Sequence, residues 1–90
     1  MNLFNFKTVS WRDIQEGQNL SLEIEDDHSK MSRSLRVSFE GIGAVGHGHF
    51  RTQSEFGTIK QYGLFMISPE GIVLNMKCEK IGVLVKAIML

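Results

Sequence analysis

Along much of this chain apolar and polar side chains trade places at every second residue, the pattern of strands with one buried face. Leu20, Leu22 and Ile24 alternate with Ser21, Glu23 and Glu25, and Leu35, Val37 and Phe39 alternate with Arg36, Ser38 and Glu40. The polar run from Asp26 to Arg33 between them reads as a solvated connection. After Glu40 the apolar set changes parity, resuming at Ile42, Ala44 and Phe50. A period-two pattern changes parity only through an extra residue or a break, and Gly41 or Gly43 is the natural place for a bulge. Residues 34–52 are therefore expected as one sharply bent strand, or as two strands meeting at a corner. His47 and His49 should then face away from Ile42, Ala44 and Phe50 and stand largely exposed, with the inner face left open by Gly46 and Gly48.

Two further strands, over 58–67 and 72–79, flank Ser68-Pro69-Glu70-Gly71, in which Pro at the second position and Gly at the fourth suit a type I turn. The outgoing strand is predicted to put Ile72, Leu74, Met76 and Cys78 on one face, with Cys78 buried as a small apolar residue. Val73, Asn75, Lys77 and Glu79 take the other. The incoming strand is apolar on both faces, Phe65 and Ile67 against Tyr62, Leu64 and Met66. The segment 81–90 repeats this, with Ile81, Val83 and Val85 opposing Leu84, Ile88 and Leu90. A helical face of Ile81, Leu84, Val85 and Ile88 is the alternative, which Gly82 and the β-branched content disfavour.

Near the start of the chain, residues 3–9 can extend with Phe4 and Phe6 on one side. Ser10 suits an N-cap, Asp13 can reach back to it, Val9 and Ile14 occupy the two positions of a hydrophobic staple, and Gly17 suits a stop. A helix of about one and a half turns, Trp11 to Glu16, is expected. The fold class is mostly β: a small antiparallel barrel or strongly bent sheet with one short N-terminal helix, residues 1–90 forming one domain.

Composition narrows the partners. Hydrophobic residues make up 42% and charged residues 22%, which is ordinary for a globular domain and argues against disorder. Ten basic and ten acidic residues cancel, whereas a protein that works by neutralising phosphates carries a basic surplus. Cys78 is the one cysteine, so no internal disulfide forms, and the cytoplasm is the expected compartment. Met1 to Lys7 lacks the layout of a signal peptide, and Ile81–Leu90, broken by Lys86, is half the length of a membrane span, so no membrane association is expected.

Gly41-Ile42-Gly43-Ala44-Val45-Gly46 has the dinucleotide-binding spacing, but His47-Gly48-His49-Phe50-Arg51-Thr52 is a poor helix start and leaves no room for a βαβ unit. The glycines read instead as a bulge. His47 and His49, two apart, project the same way from a strand and could share a metal, with Glu55 as a third ligand across a turn. The set Gly41, His47, Gly48, His49, Glu55 and Gly63 resembles a loosened first cupin motif, and Gly63, Pro69, Glu70 and Gly71 resemble the start of the second. The resemblance implies a metal-binding barrel centred on His47 and His49. The glutamate and closing glycine are displaced, however, the segment between the motifs is missing, and Leu74 stands where a histidine ligand belongs. Asp13 to Glu25 is similar to the helix-Gly-strand piece of swapped-hairpin transcription factors and of PilZ barrels, without the basic DNA-contacting residues of the former. The paired arginines and Asp-x-Ser-x-x-Gly element of the latter are missing too.

His49, Phe50, Arg51, Phe56, Lys60 and Tyr62 could stack on and neutralise a single nucleic-acid strand, a further alternative. No Ser-His-Asp set, paired catalytic carboxylates or phosphate loop is identifiable. The reading with most support is a non-enzymatic interaction module, a small accessory, regulatory or inhibitor-type protein acting by contact with a protein partner. It needs no cofactor. The two-sided apolar strands point to a homo-oligomer, a two-fold dimer being the economical arrangement, joined through Tyr62, Leu64 and Met66 or through Leu84, Ile88 and Leu90.

Overall fold

In the computed structural model, which describes residues 2–4 and 8–90, six antiparallel strands run in chain order around a closed barrel. They are β1 Asn19–Asp26, β2 Ser32–Ile42, β3 Gly48–Thr52, β4 Leu64–Ile67, β5 Ile72–Leu74 and β6 Lys80–Met89. Each strand pairs with the next, and β6 returns to β1 with Leu20 opposite Met89 and Asp26 opposite Gly82. Closure leaves no open sheet edge among these strands. The meander differs from the jelly-roll order of cupins. The accessible surface, 5486 Å², is close to the about 5,300 Å² of a compact monomer of this mass, so the barrel completes itself within one chain.

The alternation read from sequence holds on the first strands. Leu20, Leu22 and Ile24 of β1 and Leu35, Val37 and Phe39 of β2 all point inward and are fully or nearly buried. The parity change is a register shift between Phe39 and Gly41 against β3, with Gly41 at φ +118°. Beyond it the chain reverses instead of running on around a barrel corner: Gly43 to His47 close a hairpin between two paired strands, with the Gly43 N–H donating to the His47 carbonyl and the Gly46 N–H to the Gly43 carbonyl. Turn hydrogen bonds rather than a helix follow the glycines, so the dinucleotide spacing is a loop.

The expected helix shrinks to a 3-10 turn at Trp11–Asp13, and the Ser10 side chain makes no capping bond. The reason lies in Trp11, which is 1% exposed and enters the end of the barrel, its indole N–H on the Ser68 carbonyl at 3.3 Å. Its ring meets Phe50 edge-on at 4.9 Å, Phe50 stacks on Phe65 at 5.7 Å, and Phe65 meets Phe56 edge-on at 5.2 Å. This column of rings fills the barrel along its length. The inner face beside Gly48 is consequently not open, because a Cβ there would lie 2.8 Å from Trp11 Cγ. Leu3 and Phe4 pack against the core from the same end, and the Leu3 N–H and Asn2 Oδ1 pair with the backbone of Ala87 in β6. Phe6 lies outside the described residues.

The turn Ser68-Pro69-Glu70-Gly71 forms as expected between β4 and β5, with Gly71 donating to the Ser68 carbonyl at 3.0 Å and holding φ +88°. Both flanking strands are shorter than the sequence suggests. Residues 60–63 form a turn before β4, closed by the Gly63 N–H on the Lys60 carbonyl. After β5, Asn75 Oδ1 accepts from the N–H groups of Lys77 and Glu79 and bends the chain away. Two corrections follow. Val73, not Ile72 and Leu74, faces the core, and Cys78 is exposed at φ +64° rather than buried. The segment 81–89 is strand, and no helix among the described residues is long and apolar enough to cross a membrane.

Candidate functional site

The metal-site residues come from three places. His47 ends the β2–β3 hairpin loop, His49 sits on the outer face of β3 opposite Gly41 and Met66, and Glu55 lies exposed in the loop after β3. Among the described residues no three His, Cys, Asp or Glu side chains gather as a metal site would require. Neither histidine is largely exposed. His49 folds over Gly43, where a Cβ would meet its Nε2 at 2.6 Å, and His47 Nδ1 is buried with no hydrogen-bond partner.

The aromatic–basic set also divides. Phe50 and Phe56 are core residues, 0% and 2% exposed, and cannot stack on a base. Arg51 is occupied: its Nη1 donates to the Tyr62 carbonyl at 2.7 Å and its Nη2 faces Glu40 at 3.4 Å.

What the fold does assemble is a divided exterior. On β1, β2 and β3 the outward positions include Ser21, Glu23, Glu25, Ser34, Arg36, Ser38, Glu40, His49 and Arg51. On β4 and β5 they are Leu64, Met66, Ile72 and Leu74, with no polar group among them. β6 extends the apolar half with Val83, Val85 and Ile88, interrupted by Lys86. Register makes these neighbours, since Met66 pairs with Leu74 and Ile72 with Val83. Opposed outward side chains on paired strands stand close enough to form one surface.

The residues named from sequence fall unevenly on it. Leu64 and Met66 do face outward, Met66 being 9% exposed. Leu84 does not: it is 4% exposed and packs in the core opposite Ile24. Leu84, Ile88 and Leu90 share no face, because the β1–β6 pairing shifts register between Glu23 and Ile24 and reverses parity past Val85. Inward positions in β6 are Gly82, Leu84 and Ala87, leaving Ile88 outside and Leu90 53% exposed at the strand end.

Tyr62, two residues before Leu64 and lining a surface hollow with Ser38, Arg51 and Gln53, is 61% exposed and holds φ +64°. It is the third residue of the Lys60–Gly63 turn, a position that type II turns reserve for Gly or Asn. A bulky residue there is strained by about 1–3 kcal/mol, and such strain persists where surrounding bonds enforce it. Here both backbone groups are held, the N–H by the Thr52 carbonyl and the carbonyl by Arg51. The backbone that carries the ring is thus fixed. No sequence signal marked this conformation, because Lys60-Gln61-Tyr62-Gly63 carries no residue that announces a left-handed tyrosine.

No family model matches the chain, and neither a curated protein nor a solved structure does.

Proposed function

We propose that this protein is a non-enzymatic interaction module that acts by protein contact, pairing with a second copy of itself through the outer face of β4, β5 and β6. One observation carries the reading: four consecutive outward positions on β4 and β5 (Leu64, Met66, Ile72, Leu74) are apolar, while the opposite half of the same barrel is faced with serine, glutamate and arginine. Water tolerates a single exposed leucine, but a contiguous outward-facing apolar surface bordered by polar residues, half-buried at Leu64, Ile72 and Leu74, buried at Met66 and open at Val85, supports a contact surface. Val83, Val85 and Ile88 extend it, and the exposed ring of Tyr62, carried on a held backbone, supplies the kind of aromatic anchor that interfaces favour. A two-fold axis through the β5–β6 border would let each copy cover the other's face with its own. The cytoplasm is the proposed compartment, where the exposed Cys78 thiol stays reduced.

Sedimentation velocity at tens of micromolar tests this. The expected species is a dimer that becomes a folded monomer on Leu74→Glu or Val85→Glu, and remains a dimer on the control Ser34→Glu across the barrel. A monomer for the unmodified chain refutes the reading, as does a dimer indifferent to both apolar-face substitutions.

A further inference from the structure

The two ends of the barrel are finished differently. Trp11 and Phe4 stopper one end, and the other opens between the β1–β2 connection and the loop after β3. Following β1 and β2 toward that opening, the inward pairs are Leu20 with Val37, then Leu22 with Leu35, then Ile24 with Arg33. Arg33 thus takes the same side of the sheet as the two aliphatic rungs, but at the open rim, where its side chain is exposed. Ile24 and Phe56, 0% and 2% exposed, form the floor of a cavity of about 330 Å³ at this mouth, and Met31, 70% exposed, stands at its side. That volume lies at the lower end of the roughly 300–1,000 Å³ usual for small-molecule sites.

The polar groups of the rim are in contrasting states. Asp26 takes the inward position opposite Gly82, but its carboxylate is already engaged by the backbone N–H groups of Ser29 at 2.8 Å and His28 at 3.1 Å. The Arg33 side chain, among the described residues, makes neither an ion pair nor a hydrogen bond. The mouth therefore presents an apolar floor, a carboxylate whose Oδ2 is taken up by its own loop, and a guanidinium whose donors are unused. A guanidinium fork binds a carboxylate through two parallel hydrogen bonds.

We infer that the mouth of the barrel binds a small amphipathic carboxylate, its head group on Arg33 and its apolar body on Ile24, Phe56 and Met31. The site is separate from the β4–β6 face, since it uses inward-facing residues and the loops at one end.

Decanoate and its uncharged analogue decanol are the probes, titrated into the folded protein and followed by amide chemical shifts and calorimetry. Decanoate should bind at millimolar or lower concentration, shifting the Ser32 and Gly57 amides at the mouth, and decanol should bind about tenfold more weakly. Arg33→Gln should remove that preference by weakening decanoate about tenfold while leaving decanol unchanged. Met31→Asp, at an exposed position that folding does not use, should weaken decanoate more than decanol. The inference is overturned by equal affinity for the two probes, by decanoate binding unaffected by Arg33→Gln, by shifts confined to the β4–β6 face, or by no binding at millimolar concentration.

Discussion

Replacing Gly48 with alanine tests whether this glycine is required by its neighbour rather than by its backbone. Gly48 does not have the left-handed φ found at Gly17, Gly41, Gly46, Gly57 and Gly71, so alanine is conformationally acceptable there and would itself gain about 0.4–1 kcal/mol through the unfolded state. The obstacle is packing. A Cβ would sit 2.8 Å from Trp11 Cγ, 3.0 Å from Trp11 Cδ2 and 2.9 Å from Phe50 Cε2, against an optimal carbon–carbon separation of about 3.5–4.0 Å. Both rings are enclosed and in mutual contact at 4.9 Å, so neither can retreat without disturbing the column. Overpacking of this kind costs about 1–3 kcal/mol. After the unfolded-state gain, a net loss of about 1.3 kcal/mol remains at the middle of these ranges, and at about 4–8 °C per kcal/mol for a domain of this size the melting temperature falls by about 5–10 °C. Trp11→Ala alone should cost about 3–5 kcal/mol. In the double variant two of the three close contacts vanish, so the combined loss should fall short of the sum by about 1 kcal/mol. Urea and thermal melts by circular dichroism give the four corners of the cycle, with a stabilising osmolyte present throughout so that the double variant stays folded at the start of each melt. Additivity within about 0.5 kcal/mol, or an unchanged melting temperature for Gly48→Ala, would refute the account of why residue 48 is glycine.

Gly71→Val should destabilise by more than about 1 kcal/mol, since it combines φ +88° with a Cβ 2.7 Å from Phe4 Cζ; an unaltered melting temperature would dismiss both causes. Tyr62→Gly should act in opposite directions on two measurements: it releases the left-handed strain and raises the melting temperature by an amount worth about 1 kcal/mol or less, and it weakens self-association in sedimentation. A lower melting temperature would show that the tyrosine backbone is not strained. The Asp26 carboxyl is held below its ordinary value of 3.8, chiefly by the Ser29 backbone N–H, with the Ser29 side chain and His28 assisting against slight desolvation. A lowered carboxyl contributes stability above its unfolded value and loses it as pH falls through the folded one. The advantage of the natural chain over Asp26→Asn in melting temperature should therefore be present at neutral pH and shrink below pH about 4; an advantage independent of pH would exclude the ionised carboxylate as its source.

Legibility of the fold followed contrast between the two faces of each strand. From Leu20 to Ile24 on β1 and from Leu35 to Phe39 on β2 the inward residues are apolar and their outward neighbours through Glu40 are polar or charged, so parity, burial and even the bulge at Gly41 are legible in the sequence. On β4 to β6 the outward residues are apolar as well, and the signal that would identify the inner face disappears. That is why Ile72 and Leu74 were placed where Val73 lies, and why Leu84 was assigned to an exterior it does not reach. The register shifts that leave Ile81 and Val85 without direct partners in β6 carry no glycine or proline of their own. Cys78 misled for a related reason, since the turn that exposes it is built by the Asn75 side chain rather than by a turn-forming residue at position 78. The same loss of contrast that hid the register is the property from which the interaction face is inferred. The carboxylate site at the mouth was not legible, because Arg33 stands at the edge of a polar run and only pairing with Ile24 sets it on the inner side of the sheet, at the open rim.

The pairing of β6 with β1 has a consequence for how the molecule comes into being. Leu20 and Met89, opposite one another in the finished barrel, are about 70 residues apart along the chain, so the contact that closes the barrel spans most of its length. The hairpins of neighbouring strands can form early from local contacts, but this seam must overcome the entropy of a long loop, and topologies of that kind fold in milliseconds to seconds. During synthesis, β1 through β5 emerge first and form a curved sheet with two unpaired edges and an uncovered column of aromatic rings. At the ribosome the nascent sheet depends on the arrival of β6, and a chain stalled or cleaved before Lys80 would present the open edges and apolar interior that recruit chaperones or seed aggregates.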